Sequence, residues 1–149
     1  MRAKLLSDTH GQRVFSIVLA KDDDVLTALN EFVASHHVEA AQFTAIGAFS
    51  QATLGYFDWE AKDYIKIEVP EQVEVASLLG DVALGEDDKP ALHVHCVLSQ
   101  RDGNAKAGHL LQAIVRPTLE VVLTESPAHL RKRHDPESGL ALIDPTASK

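Results

Sequence analysis

One stretch of this chain carries helical periodicity, and nearly everything around it reads as strand. In "KDDDVLTALNEFVASHH", Val25, Leu26, Leu29, Phe32 and Val33 recur at helical spacing and make one apolar face. The spacing predicts a helix over about 22–37. Asp22, Asp23 and Asp24 crowd its start, where a carboxylate can cap free N–H groups and suits the positive end of the helix dipole. His36 and His37 fall at the far end, where a partial positive charge is favourable, and are read as helix-end residues before ligands.

The remaining segments have the composition and period of strands. "RVFSIVLA" is β-branched and aromatic, "EAAQFTAIG" runs into Gly47, and "QATLGYFD" holds Gly55, a mark of a bulge or close approach. "DYIKIEVP" alternates cleanly, with Ile65, Ile67 and Val69 on one face and Tyr64, Lys66 and Glu68 on the other. "EVASLLGDVAL", "ALHVHCVLSQ" and "TLEVVLTE" follow as strands, while "HLLQAIV" fits either a strand or a short helix. "GEDDKP" and "RDGNAKAG" are breaks, the second of hairpin length with an Asp-Gly turn. One helix among many strands predicts a single α+β domain, mostly antiparallel sheet, over residues 1–125. Residues 126–149 hold three prolines and little pattern, and read as a tail, docked through Leu140, Leu142 and Ile143 or mobile. The exposed edges of such a sheet are commonly buried in an oligomer.

A chain of 149 residues that is 45% hydrophobic can build one core without staples. Cys96 is the single cysteine, so no internal disulfide forms. No apolar run approaches a membrane span, and "MRAKLLSDTHGQR" is too polar for a signal peptide; a cytoplasmic location is the simplest reading. The formal net charge of −8 disfavours non-specific nucleic-acid binding, which depends on cations meeting phosphates. The one basic cluster, "RKRH" at 131–134, reads as a solvated stretch of the tail.

The chemistry concentrates in "PALHVHCVLSQRDGNAKAGHL". Side chains alternate faces along a strand, so Leu92, Val94, Cys96 and Leu98 share the core face, and His93, His95 and Val97 share the other. Residues two apart lie about 6.6 Å apart along a strand, and two imidazoles leaning together can meet one ion at about 2.0–2.1 Å. Cys96 points away and is excluded as a partner. The loop from Ser99 to Gly108 reverses the chain and returns His109, with Gly108 permitting a tight approach. Three imidazoles without a fourth protein ligand leave a coordination position open, as in catalytic zinc sites, although other divalent transition metals also accept this donor set. The plainer alternative is three exposed, unliganded histidines. Glu74 and Glu120, in otherwise apolar strands, are candidate proton carriers, or else surface carboxylates. Arg13 is a candidate for binding an anionic substrate group, or merely flanks a strand.

Five segments resemble, in order, the PPC domain shared by plants and prokaryotes. They are "RVFSIVLAKDDDVLTAL", "AIGAF", "EVASLLG", "HVHCVLSQRDGNAKAGHL" and "TLEVVL", spanning Arg13 to Glu125. The chain departs from the pattern at Ala107, where the family has a glycine, and at Lys21, where a glycine is usual. The resemblance implies a homotrimer with a metal, usually zinc, on His93, His95 and His109. Plant members bind DNA through separate R-G-R-P hooks, and this sequence contains none. Two functions stand side by side: a metal-dependent enzyme acting on a small molecule, and a DNA-binding or transcription-associated oligomerisation module with a structural metal.

Overall fold

The computed structural model describes residues 1–147; the last two residues of the tail, 148 and 149, lie outside the described residues. The chain runs β1 (Arg2–Thr9), β2 (Gln12–Ala20), α1 (Val25–Ser35), β3 (Ala41–Asp58), β4 (Asp63–Val69), β5 (Val73–Leu84), β6 (Pro90–Ser99), β7 (Ala105–Glu125), β8 (Arg131–His134) and β9 (Ala141–Asp144). This is a mostly β domain with one short helix, as the patterning requires.

The helix is shorter than its apolar period suggests, and the aspartates explain why. Asp24 is the N-cap, its side chain accepting from the Thr27 N–H at 2.9 Å. Asp23 instead accepts from the Ala20 N–H, and Asp22 takes a left-handed φ of 70°, so neither can be helical. At the other end His36 is the C-cap and His37 turns left-handed at φ 51°. Val25, Ala28, Leu29, Phe32 and Val33 are buried. Phe32 meets Phe15 edge-on at 5.2 Å and stacks on His36 at 4.1 Å, which fixes the helix on β2.

Two very long strands organise the sheet. β3 and β7 pair antiparallel from Ala41↔Glu125 to Gly55↔His109, with bulges along the way. The first half of β3 also pairs β5, β5 pairs β6, and β6 pairs the first half of β7. These four strands therefore close a ring, with Leu54, Leu78, Val94, Leu98 and Leu110 in the core. β1–β2 extends one side through β7, and β4 lies on the second half of β3.

Two sequence readings change here, and one strand is added. "EAAQFTAIG" and "QATLGYFD" form one strand, because Gly47 (φ 153°) sits where a Cβ would come within 2.2 Å of the Thr118 carbonyl oxygen; the strand bends there without ending. "HLLQAIV" continues through Pro117 into "TLEVVLTE" as part of β7. The exposed segment Arg2–Thr9 forms β1; its polar sequence carries no alternation, and only pairing with β2 makes it a strand.

The tail is not patternless. β8 and β9 form an antiparallel hairpin, and β8 joins β5 in parallel at Leu84↔Arg131, with the Leu84 N–H donating to Leu130 O at 2.8 Å. Its attachment runs through "RKRH", where Lys132 is 7% exposed; of the apolar residues Leu140 is half-buried, while Leu142 and Ile143 are exposed. A lysine between a backbone carbonyl and an acid can be buried where a solvated reading of its sequence would not place it.

Candidate metal centre

Alternation in β6 places the histidines. Val94, Cys96 and Leu98 are buried, and His93, His95 and Val97 face out. Burial pushes the Cys96 thiol up to about 12, so it stays protonated in the core and is no ligand. The return is a tight turn: the Gln100 N–H donates to Asn104 O at 2.8 Å, the Gly103 N–H donates to Gln100 O at 2.9 Å, and Gly103 takes φ 84°. β7 leaves that turn in register, with His109 directly opposite His95.

The register needs Gly108. A Cβ there would lie 2.8 Å from the Gly55 carbonyl oxygen, a backbone atom that cannot swing aside. Gly55, opposite His109, leaves space for the Tyr64 ring, which a Cβ would meet at 2.7 Å. Tyr64 uses that space to stack on His109, centroids 4.9 Å apart and planes 27° apart. The two glycines thus bring β3 and β7 together and give the third imidazole an aromatic wall.

The three imidazoles converge. His93 Nε2 and His95 Nε2 lie 3.1 Å apart, and one ring nitrogen from each of His93, His95 and His109 lies within 4.8 Å of the others. Two donors of a tetrahedral ion with bonds of about 2.0–2.1 Å stand about 3.3 Å apart, so this spacing fits a shared ion. His109 Nδ1 is buried and has no hydrogen-bond partner among the described residues, a lone pair or N–H that a ligand must otherwise satisfy. The residues present fit a divalent transition metal.

Burial favours the neutral form of two of the donors, His95 and His109. Burial lowers the His109 pKa to about 4, helped by the nearby His93, His95 and Lys132. Burial also lowers that of His95, with His93 acting in the same direction and Asp81 opposing. An unfolded histidine titrates near 6.5. Between that value and about 4 the unfolded chain holds the extra proton, so metal-free protein loses stability as pH falls through this window and retains it fully above. Thermal melts of metal-free protein from pH 7 to 4 should show the decline. His109→Gln should make it shallower, His95 still contributing, and an unchanged slope in that variant contradicts the assignment.

Beside the histidines stand two residues that sequence reasoning missed. Asp81 faces His93 across the β5–β6 pair, with Asp81 Oδ2 3.2 Å from His93 Nδ1. Lys132 Nζ lies 3.3 Å from Asp81 Oδ1. Asp81 has no motif signal in "LLGDVAL". It is found only through register.

The other candidates lie elsewhere. Glu74 is exposed at the far end of β5, opposite Ser99, about 15 Å of strand from the row holding His95. There it lines a cavity of about 460 Å³ with Gln72, Ser99 and Arg101, and no imidazole reaches that cavity. Glu120 is exposed far along β7, opposite Val18 and Ile46. The Arg13 guanidinium donates to Glu125 (Nη2 to Oε1, 2.7 Å) and to the His36 carbonyl at 3.0 Å. Glu125 holds its pKa above the ordinary value. Arg13 ties β2, β7 and the helix end together and does not join the histidines.

Comparison with known proteins agrees with this architecture. Solved structures similar to the chain include a plant- and prokaryote-conserved protein from Pyrococcus horikoshii, at 27% identity and TM-score 0.84, covering 91% of this chain and 94% of that one. A metal-containing protein from Archaeoglobus fulgidus is 31% identical with TM-score 0.81, covering 96% and 98%. A protein from Ralstonia eutropha JMP134, described as a candidate DNA-binding protein, is 30% identical with TM-score 0.81, covering 87% and 90%. Comparison with curated proteins finds no match. The family profile of the Plants and Prokaryotes Conserved (PCC) domain matches residues 6–127, and the chain belongs to that family.

Proposed function

We propose that His93, His95 and His109 hold one divalent transition-metal ion, zinc being the one the family resemblance implies, and that the centre works on a small molecule within a homotrimer. The observation that carries the reading is the convergence of three ring nitrogens within 4.8 Å on the outer face of the sheet. No cysteine or carboxylate joins that set among the described residues, so an ion held by these three would have a position left for a further ligand. A metal at that position supplies Lewis acidity to a small polar ligand. The chain supplies two neutral donors in His95 and His109, and a stacked Tyr64 ring that walls His109 on one side. Glu74 and Glu120 are too remote within one chain to carry its protons; any such role for them requires a neighbouring subunit.

The trimer rests on the same outer face. Ile46 (63% exposed), Leu79 (57%), Val122 (47%) and Val97 (38%) share it, and Leu79 is directly opposite His95. So much apolar surface beside a site is suited to a subunit contact. Protein purified without a histidine tag should contain about one metal equivalent per chain. Light scattering at micromolar concentration should give three times the 16.2 kDa chain mass. Absence of metal after incubation with zinc rejects the centre, and a monomer mass rejects the assembly.

The second reading, a DNA-binding or transcription-associated module, is favoured by the name of the Ralstonia relative. The charge distribution weighs against it. In the basic cluster, Arg131 pairs with Asp88 at 2.7 Å, Lys132 with Asp81 at 3.3 Å and Arg133 with Asp144 at 3.4 Å. Titration with duplex DNA at physiological salt should show no sub-micromolar binding. Tight binding that weakens steeply with salt would put this reading first.

A further inference from the structure

The C-terminal hairpin buries a lysine against a carboxylate, Asp81, that touches a histidine of the centre. We propose that Asp81 is a positioning residue of the metal centre: it accepts a hydrogen bond from His93 Nδ1–H, which leaves Nε2 to face the ion, and Lys132 from β8 balances its charge. This rests on the three-histidine reading above.

The geometry is a line of contacts. Lys132 Nζ lies 3.3 Å from Asp81 Oδ1, Asp81 Oδ2 lies 3.2 Å from His93 Nδ1, and His93 Nε2 lies 3.1 Å from His95 Nε2. The first two links are set by backbone pairing and the third by side-chain alternation within β6. Asp81 and His93 are register partners in β5 and β6, and β8 joins the end of β5 at Leu84. Lys132 also donates to the Ala91 carbonyl at 3.3 Å, which fixes it to the start of β6.

The chemistry gives this line a direction. A neutral imidazole carries its proton on one nitrogen only, and a carboxylate acceptor at Nδ1 selects the tautomer with Nε2 free. Of the two His93 nitrogens, Nε2 is also the one that meets His95, so the nitrogen left free is the converging one. A carboxylate on the outer nitrogen also makes the ring a better donor. The buried Oδ1 meets Lys132 as an ion pair, not as an aligned hydrogen bond, so the lysine neutralises charge and leaves Oδ2 available for the ring. Burying Lys132 without Asp81 would be unfavourable, which ties the docking of the tail hairpin to the same carboxylate. Tail and metal centre thus share one residue.

The test avoids stranding the lysine. Lys132→Met alone is compared with the double variant Asp81→Ala/Lys132→Met, so neither protein contains an unpaired buried ammonium. Cobalt(II) affinity is read by competition with a chelator, and the His93 tautomer by imidazole nitrogen shifts in metal-free protein. The double variant should bind cobalt about 10–100-fold more weakly than the single one, still at one equivalent per chain. It should also lose the Nδ1–H tautomer of His93 that the single variant keeps. A purely structural role would lower the melting temperature and leave the tautomer unchanged. Equal affinities and an unchanged tautomer overturn the proposal while leaving the centre standing. An unsubstituted chain that takes up no cobalt overturns the centre itself and this proposal with it.

Discussion

His95→Ala should strip the chain of stoichiometric metal and leave the fold intact. His95 is the middle of the three donors: it lies 3.1 Å from His93 through the ring nitrogens and directly opposite His109 across β6 and β7. The remaining pair cannot enclose an ion with the same geometry. The affinity loss should exceed the about 10–100-fold expected for an outer partner of a ligand. The side chain lies on the outer face of β6, off the core, so the metal-free variant should unfold within about 0.5 kcal/mol of the unsubstituted protein. In zinc the two should differ more, because the unsubstituted protein alone gains the stabilisation that binding to the native state brings. Metal content by mass spectrometry, with melts in zinc and in chelator, checks both parts. Full metal retention by His95→Ala contradicts the assignment.

Phe32→Ala should do the reverse. Phe32 is fully buried, meets Phe15 edge-on and stacks on His36, so it holds α1 to β2 and caps the apolar interior. Truncating a buried phenylalanine costs about 3–5 kcal/mol in transfer and cavity terms. Domains of this size are stable by about 5–15 kcal/mol, so the loss is a large share of the total. The folded fraction should still bind one metal, because the histidines occupy the opposite face of β6 and β7 from the core. Urea unfolding gives the stability and equilibrium dialysis gives the stoichiometry. Loss of metal in step with loss of helix packing would mean that the site is not the autonomous sheet feature described above.

These opposite outcomes follow from a two-sided strand. The sequence shows that two-sidedness directly: in "ALHVHCVLS" the apolar residues at even positions and the imidazoles at odd ones declare which face is which. The return of His109 is legible as well, because an Asp-Gly turn followed by Gly108 allows the chain to come back close by. Cys96 is correctly excluded by the same parity. The helix is legible from its five apolar residues, but its first turn is not, because three consecutive aspartates can each be the cap and only the fold selects Asp24.

What the sequence conceals is pairing between distant segments. Asp81 and His93 are opposite each other only because β5 and β6 share a register with a bulge between Val75 and Ser77. Nothing in "LLGDVAL" marks the aspartate as special. The tail is concealed for a different reason. "RKRH" looks like a solvated basic stretch, but its lysine finds an acid and a carbonyl where β8 meets the sheet. Glu74 and Glu120 attract attention as acids within apolar strands, a pattern that surface carboxylates on the outer face of a sheet also produce. Arg13 likewise reads as an anion binder, while Glu125 occupies its guanidinium.

Diffraction at the zinc absorption edge, from crystals grown with the metal, tests the central claim most directly. One anomalous peak per chain is expected, about 2.0–2.1 Å from a nitrogen of each of His93, His95 and His109, with a non-protein ligand completing the coordination. A map with no peak among those rings, or with the peak on other residues, contradicts it.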